Sequence, residues 1–331
     1  MRIATISRRW AQGLAVAASA LMLVPGAAPA QEAWPKKQAI KAIVPFGGGS
    51  STDIIARVVL DQVSKDIGQT IVVENTAGAA GTRGSGMVAK ADPDGYTLLV
   101  HSSSHTVTPS TFSKLPYDTE KDLLPVMPLA TIPNVVLVST KKGWKTLNDM
   151  VKAALVKPGS FNFASAGAGS ATHLTAERLK ISAKFQSAHL AFKGSNDALT
   201  EILADRIDFY CSPINAAIGH IKAGTMTALA VSSAKRSSAL PDVPTTVEAG
   251  FPDSGYEFWI GAFLPGKTPE DIRTKLHAAF VKAIDTPAVA ERLAKLGAEP
   301  HKISPQEFAA MIKREIAANA AVVKAAGIKV N

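Results

Sequence analysis

Short apolar runs alternate along the chain with segments whose apolar side chains recur every three or four positions. Runs at 39–45, 70–74 and 96–101 predict strands, because short apolar stretches bounded by glycine, proline or polar residues are typical of buried strands. The spacing at 52–67 predicts a helix, and a second, shorter helix is expected at 82–90. This strand–helix–strand order predicts a mostly parallel, doubly wound sheet.

The middle of the chain repeats the alternation after a crossing segment at 126–140, which predicts one or two strands. Helical spacing and the positions of proline and glycine then define further helices and strands. The predicted helices are 147–156, 173–181, 195–204 and 215–223, and the predicted strands are 161–164, 187–191, 209–211 and 228–232. Ser195 or Asn196 is the expected N-cap of the third of these helices.

The last third of the chain predicts a strand at 257–264 and then amphipathic helices at 268–285, 287–296 and 305–326. These helices lack strand partners among themselves, so we expect them to return and cover the first domain. Two crossings between domains make a hinge, which permits closure around a ligand. The predicted boundaries are 1–30 for a signal peptide, 31–133 with 255–331 for domain 1, and 134–254 for domain 2.

The first thirty residues have the pattern of a secretion signal. Arg2, Arg8 and Arg9 precede an apolar stretch at 14–24 that is too short to span a bilayer. The small residues at 28–30 form a cleavage signal, so the mature chain is expected to begin at Gln31 in the periplasm.

The charge balance excludes some functions. The formal charge is +9 for 36 Lys and Arg against 27 Asp and Glu, and loss of the three signal arginines leaves +6. Basic runs with interleaved aromatic residues are absent from the sequence, which argues against nucleic-acid binding. Cys211 is the single cysteine, so neither an intrachain disulfide nor a thiolate metal site can form. We expect no metal and no cofactor.

Two stretches share one design, in which a strand leads through glycine and serine into a helix. The first Gly/Ser loop spans 47–52 and the second spans 165–170. Free backbone N–H groups at a helix start carry partial positive charge and bind anions. Glycine lets that backbone approach a ligand closely. Two such loops in separate halves of the chain predict a clamp on a carboxylate.

Ordered sequence motifs along the mature chain resemble the periplasmic solute-binding receptors of tripartite tricarboxylate transporters, often called Bug proteins. The first is Ile43-Val44-Pro45-Phe46-Gly47-Gly48. The other matching stretches are 34–35, 51–53, 73–75, 92–99, 115–118, 157–159, 164–167, 192–195, 230–244 and 248–250. The resemblance implies a two-lobed, venus-flytrap receptor of the α/β periplasmic-binding-protein fold.

The family's biology sets further expectations. The resemblance implies that the protein captures a small carboxylate between its lobes and delivers it to a membrane permease, without enzymatic activity and as a monomer. The expected first-lobe ligand residues are Phe46, Gly48, Ser51, Thr52, Thr82, Ser102 and Ser103. The expected second-lobe ligand residues are Ser165, Ala166, Gly169, Ser170, His173, Phe192, Cys211 and Ser212. Helix capping for the hydroxyls, and core packing for His173 and the aromatic residues, are the alternative roles.

The distal end of the site departs from the family pattern. Many relatives carry an Asp-Asn pair where this chain has Cys211 and Ser212, so an ammonium group on the ligand lacks a partner. We therefore expect a di- or aromatic carboxylate without an amine. Phe192 and Phe46, with Trp259 and Tyr256, are candidates for an aromatic wall. Asp53 is expected to brace the first loop instead of binding the anion.

Other functions remain open on the sequence. The receptor could dock on a sensor instead of a permease. A hydrolase with Ser165 or Ser51 as nucleophile needs a base, for which His173 lies nearest in sequence, but the Gly-x-Ser-x-Gly elbow is absent. His101 and His105 lack acidic neighbours, which argues against a metal site. Gly169→Val is expected to weaken binding while the fold survives.

Overall fold

The computed structural model describes residues 34–330. The predicted signal peptide and its cleavage site lie outside these residues. The strands are β1 Ile40–Val44, β2 Ile71–Asn75, β3 Thr97–Ser102, β4 Leu123–Thr131, β5 Asn134–Ser139, β6 Asn162–Ser165, β7 Ala188–Ala191, β8 Phe209–Pro213, β9 Met226–Val231, β10 Trp259–Pro265 and β11 Glu299–Pro300. The α-helices are α1 Ser51–Ile67, α2 Thr82–Ala89, α3 Thr108–Thr111, α4 Leu147–Val156, α5 Ala171–Ala183, α6 Ser195–Leu203, α7 Ile214–Lys222, α8 Glu270–Asp285, α9 Pro287–Lys295 and α10 Pro305–Ala326.

The first sheet has the order β11-β4-β10-β3-β1-β2. Strands β2, β1 and β3 are parallel, whereas β10 is antiparallel to both β3 and β4. The chain runs from β1 to β2 on one side of β1 and then to β3 on the other side. The strand order therefore reverses between β1 and β3, and ligands of open α/β sheets bind at such a switch point. We call this sheet with the helices packed on it the first lobe.

The second sheet has the order β7-β6-β8-β5-β9. Strands β7, β6 and β8 are parallel, and β5 runs antiparallel to β8 and β9. A second switch point therefore lies between β6 and β8. We call this sheet and its helices the second lobe. The predicted α/β fold with two sheets is confirmed, and each sheet is mixed because an antiparallel strand, β10 or β5, lies inside it.

The chain passes between the lobes twice. It leaves the first sheet after Thr131, enters the second at Asn134, and returns between Val231 and Trp259. These passages lie near the predicted crossings, while the domain boundaries themselves stay a prediction.

The last three α-helices mainly cover the first lobe, as predicted. Helices α8 and α9 pack against α1, whereas α10 contacts β4 and also α5 of the second lobe. Between α9 and α10 the chain adds the two-residue strand β11 on β4, which the apolar pattern did not predict.

The apolar core of the first lobe continues into the start of two second-lobe helices. Ala171 and Leu174 of α5 and Ile214 of α7 are buried in the same cluster as the strands β1, β3 and β10. Separate clusters fill the two faces of the second sheet. The N-terminal ends of α5 and α7 are thus packed directly against the first lobe.

Candidate functional site

A narrow cavity lies between the lobes at the two switch points, and the about 300 Å³ of non-atom space in and around it includes open solvent. It is lined by Phe46, Ser50, Ser51, Thr52, Ser102, Ser104, Ala166, Ser170, Thr172, Gly194, Ser195, Pro213 and Phe258. This lining contains eight hydroxyl groups and no charged side chain. A ligand here meets hydroxyls, backbone and three apolar surfaces, namely Phe46, Phe258 and Pro213.

Four α-helices begin at this cavity. The N-caps Ser50 of α1, Ser170 of α5, Gly194 of α6 and Pro213 of α7 all belong to its lining. Each helix start carries partial positive charge from N–H groups that the helix itself cannot satisfy. The cavity therefore has a positive electrostatic character although no cationic side chain lines it, which suits an anion.

The first Gly/Ser loop is held by the side chain of Asp53. One carboxylate oxygen accepts from the Gly49 backbone N–H at 2.9 Å, and the other accepts from Asn75 Nδ2 at 2.9 Å and Arg57 Nε at 3.0 Å. Asn75 Nδ2 also donates to Phe46 O. Burial disfavours the charged form of Asp53, but these hydrogen bonds outweigh it and lower the pKa of the carboxyl. The predicted bracing role of Asp53 is confirmed.

The same loop leaves donors for a ligand. Ser50 Oγ caps α1 by accepting from Asp53 N. Among residues 34–330, the backbone N–H groups of Ser51 and Thr52 have no acceptor. Ser51 is 3% exposed, and its Oγ has no hydrogen-bond partner in the described chain. Because buried polar groups are almost always paired, this arrangement is suited to a bound acceptor.

The second Gly/Ser loop differs, since the protein itself satisfies most of its donors. Ser170 Oγ caps α5 by accepting from His173 N, and Ala166 N donates to Thr172 Oγ1 at 2.9 Å. Gly169 N donates to His173 Nδ1 at 3.1 Å. The Ala171 N–H donates across the cleft to Ser104 Oγ at 2.9 Å.

A buried polar cluster supports this second loop from behind. The rings of His173 and His189 are stacked with centroids 3.6 Å apart, and His189 Nε2 lies 2.6 Å from Ser165 Oγ. Burial and the neighbouring His173 lower the pKa of His189 to about 3. Burial raises the pKa of Glu177, but His173 and Lys180 outweigh it and the net pKa is lowered. Both histidines therefore hold the loop and do not face the ligand space.

A second cavity, which we call the mouth, has charged residues in its lining. It shares Ser50, Gly194 and Ser195 with the first and is further lined by Gly47, Gly48, Lys193, Asn196 and Asp197. A ligand longer than the inner cavity would extend towards this mouth.

The sequence-predicted site residues fall into three groups. Six line the inner cavity, namely Phe46, Ser51, Thr52, Ser102, Ala166 and Ser170. Gly48 lines the mouth. The remaining eight line neither, namely Thr82, Ser103, Ser165, Gly169, His173, Phe192, Cys211 and Ser212.

The residues outside the lining have other contacts. The Ser165 hydroxyl is held by His189 and Gly167, and Ser212 Oγ donates to the Pro213 carbonyl. Cys211 is fully buried in an apolar cluster, and burial raises the pKa of its thiol. Phe192 packs against another cluster of the second lobe.

Thr82 and Ser103 are buried at the start of α2 and in the turn after β3. Of the expected aromatic wall, Phe46 lines the cavity, whereas Phe192, Tyr256 and Trp259 do not, and Phe258 supplies the second ring.

Seven lining residues were not predicted, namely Ser50, Ser104, Thr172, Gly194, Ser195, Pro213 and Phe258. Five of them lie within one or two residues of a predicted site residue. The sequence thus predicted the correct loops but not which side chains in those loops face the cavity. The N-cap prediction for α6 was wrong: Gly194 occupies the cap, and Ser195 Oγ accepts from Tyr210 OH.

Gly169→Val is not a clean test of binding. Gly169 has φ +76°, and a β-carbon built on it lies 2.6 Å from Thr111 Oγ1 and 3.2 Å from a Val330 methyl. The substitution would strain the backbone and separate packed surfaces. The substitution should therefore lower stability as well as binding, and the expectation that the fold survives stays a prediction.

Within residues 34–330, no helix is both long and apolar enough to cross a membrane. The same part of the chain holds no group of three or more His, Cys, Asp or Glu side chains placed to bind a metal ion.

Comparison with known proteins identifies the family to which the chain is similar. Residues 55–328 match the sequence model of the tripartite tricarboxylate transporter family receptor. The chain is 34% identical to the protein BugT of Bordetella pertussis over 292 residues, covering 88% of this chain and 90% of BugT.

Solved structures extend the similarity to the fold. A Rhodopseudomonas palustris protein with bound malate superposes with a TM-score of 0.82 at 33% identity, covering 87% of this chain and 99% of that one. A second R. palustris protein, solved with adipate, gives a TM-score of 0.86 at 29% identity, covering 89% and 99%. Both of those proteins hold a dicarboxylate.

Proposed function

Because the chain belongs to the tripartite tricarboxylate transporter receptor family, we propose that it is a periplasmic receptor that captures a small carboxylate between its lobes. The observation that carries this proposal is the convergence of four helix starts on a cavity lined by hydroxyls and no charged side chain. A carboxylate satisfies the unpaired donors of Ser51 and Thr52 without a buried cation.

Binding uses the two loops differently. The first Gly/Ser loop offers the backbone N–H groups of Ser51 and Thr52 and the Ser51 hydroxyl, which has no hydrogen-bond partner in the described chain. The second lobe contributes the hydroxyls of Ser170, Thr172 and Ser195. The ligand favours closure only by the difference between its affinities for the closed and open forms.

The chemistry of the lining limits the ligand. No carboxylate side chain lines the inner cavity, so an ammonium group would be buried without a partner, which is costly. Phe46 and Phe258 offer ring surfaces to an aliphatic or aromatic body. The malate and adipate held by the two R. palustris proteins fit this class. We infer a di- or aromatic carboxylate without an amine.

Delivery and location complete the proposal. The signal-like first thirty residues support a periplasmic location for the mature chain, which we take to begin at Gln31. There the protein acts as a monomer and hands its ligand to a membrane permease of the tripartite type. Docking on a sensor is the alternative. Loss of carboxylate uptake on gene deletion, with induction of uptake genes intact, favours the permease, and the reverse result favours the sensor.

Catalysis by a serine is disfavoured. The Ser165 hydroxyl lies beside His189, not beside His173, but Ser165 is fully buried and outside the cavity lining. Ser51 lines the cavity, yet no base lies within hydrogen-bond distance of its hydroxyl in residues 34–330. A serine nucleophile needs both access and a base.

A thermal-shift screen tests the proposal. The mature chain is titrated with malate, adipate, benzoate and their uncharged amides, because a ligand that binds only the folded state raises the melting temperature by mass action. We expect at least one carboxylate to raise the melting temperature and its amide to leave it unchanged. Equal shifts for acid and amide, or no shift from any acid after refolding removes bound ligand, would contradict it.

A further inference from the structure

The first backbone amide of α5 is bonded across the cleft. Ala171 N, which belongs to the second lobe, donates to Ser104 Oγ at 2.9 Å, and Ser104 lies in the turn after β3 in the first lobe. Ala171 is one of the helix-start amides that an anion would otherwise bind. In the closed arrangement, a first-lobe side chain thus occupies a position comparable with that of a ligand oxygen.

This contact is shielded from water. Ser104 is 2% exposed and Ala171 is fully buried. Ser102 Oγ donates a second hydrogen bond to Ser104 Oγ at 3.1 Å. Because Ser104 Oγ accepts both of these hydrogen bonds, its own O–H remains able to donate to an acceptor. Ser104 lines the cavity, so that acceptor can be a ligand oxygen. Chains of hydrogen bonds of this kind strengthen one another.

The surfaces around the bond are closely packed. Ala171 and Leu174 join the apolar cluster of the first lobe, and Gly169 lies against Thr111. Apolar burial supplies attraction between the lobes but is non-directional, whereas the Ser104–Ala171 bond fixes how the start of α5 sits on the first lobe.

We propose that Ser104 holds the second lobe closed on the first before ligand arrives and sets the apparent affinity for the ligand through that closure. Only the second half of this proposal, the effect of closure on ligand affinity, rests on the proposed function. The ligand's carboxylate then binds mainly to the free donors of the first Gly/Ser loop. The Ser104 hydroxyl joins that carboxylate to α5, so Ser104 is a positioning residue for the second lobe.

The expected effect is modest and measurable. A single hydrogen bond changes an equilibrium by about two- to tenfold. Because the apparent dissociation constant scales inversely with the binding-competent fraction, the loss of closure in Ser104→Ala weakens binding by no more than this factor, and loss of the Ser104 contact with the carboxylate adds to it. The matched control is Ser103→Ala, since Ser103 is equally buried in the same turn but does not line the cavity.

The test begins without ligand. Wild type, Ser104→Ala and Ser103→Ala are unfolded, dialysed free of bound molecules and refolded, and their radii of gyration are measured by small-angle X-ray scattering. We expect wild type and Ser103→Ala to match the value calculated from the closed structure, and Ser104→Ala to be larger. An open wild type, or a Ser104→Ala radius equal to that of wild type, would overturn the proposal.

Titration with malate by calorimetry tests the second half. Ser104→Ala should raise the dissociation constant about two- to tenfold and Ser103→Ala should not. Equal constants for wild type and Ser104→Ala would contradict the link to affinity. If wild type binds neither malate nor any other carboxylate of the screen, the proposed function fails, while the scattering result still decides whether Ser104 closes the lobes.

Discussion

At the residue scale, the proposed site offers an anion only neutral groups. Ser51 is the clearest case, because its hydroxyl is buried, unpartnered in the described chain and located at the start of α1. A buried donor without an acceptor is costly unless a ligand supplies one. The residue therefore contributes little to the stability of the empty protein and much to binding.

Replacement of Ser51 separates these two effects. Ser51→Ala should weaken carboxylate binding by about 10- to 100-fold, since a hydrogen bond to a charged group contributes about 1.5–3 kcal/mol. Its free energy of unfolding without ligand should equal or exceed that of wild type, because the substitution removes a buried hydroxyl that has no partner in the described chain. Ser64→Ala, at the other end of α1, is the matched control and should bind normally. Calorimetry and chemical denaturation measure both quantities, and unchanged affinity in Ser51→Ala would refute this role.

His101 gives the fold a dependence on pH. It is fully buried, and burial lowers the pKa of its ring to about 3, while an unfolded histidine titrates near 6.5. Below about pH 6.5 the unfolded chain binds a proton that the folded chain does not, so stability falls on acidification. The loss is about 1.4 kcal/mol per pH unit for each such histidine.

His101→Asn should therefore reduce the slope of unfolding free energy against pH between about pH 6 and 4 by close to that amount. The comparison with wild type cancels the opposing contribution of Glu315, whose pKa is raised by burial and which stabilises the fold on acidification. Denaturant titrations at four pH values measure the slope. If the plots of unfolding free energy against pH are parallel for the two proteins, folding does not lower the pKa of His101, and this prediction is contradicted.

At the element scale, we propose that the strand–loop–helix unit formed by β1, the first Gly/Ser loop and α1 binds the ligand. Helix α1 is presented to the cavity by Asp53, which ties the loop to Asn75 at the end of β2 and to Arg57 one turn along the helix. The carboxylate also lies in the first turn of α1, where negative charge stabilises a helix. A brace of this kind keeps free N–H groups aimed at the ligand space.

Asp53→Asn should destabilise the protein by about 1–3 kcal/mol, because buried groups would lose a charged acceptor. Carboxylate binding should weaken as well, since the loop is no longer held. Asp61→Asn on the same helix is the control: Asp61 pairs with Lys65 at an exposed site, where an ion pair contributes at most about 1 kcal/mol. Equal stability losses in the two variants, measured by denaturation, would contradict the bracing role.

Helices and strand–loop–helix units were predictable because the residues that determine them lie close together in the sequence. Apolar spacing and caps placed α4 and α10 at their observed bounds and placed both Gly/Ser loops before their helices. The insertion of β10 between β3 and β4 was not predictable, because it depends on pairing between residues more than a hundred positions apart.

Side-chain direction limited the site prediction. Cys211 and Ser212 are adjacent on β8, and successive strand residues point to opposite faces, so both could not face one cavity from the sheet. Cys211 is in fact buried in the apolar cluster on one face. Ser104 and Phe258 were missed because the side of a turn that faces the other lobe is set by how the lobes pack.

At the scale of the whole molecule, we propose a clamp in which both lobes hold one anion. Hydrogen exchange tests this directly, since a ligand that favours closure lowers the rate of opening-dependent exchange in both lobes. A bound carboxylate should further protect amides at 47–52 and at 166–172 together, and leave α9 unchanged. Protection confined to the first lobe would contradict the clamp.

The central claim is that a carboxylate lies among the helix starts between the lobes. Its most direct test is the crystal structure of the mature chain with the carboxylate that gives the largest thermal shift. We predict a carboxylate oxygen within hydrogen-bond distance of Ser51 N, Thr52 N and Ser51 Oγ, with no cationic side chain touching it. A carboxylate bound outside the cavity, or held there by Lys193 instead of the helix starts, would contradict the account.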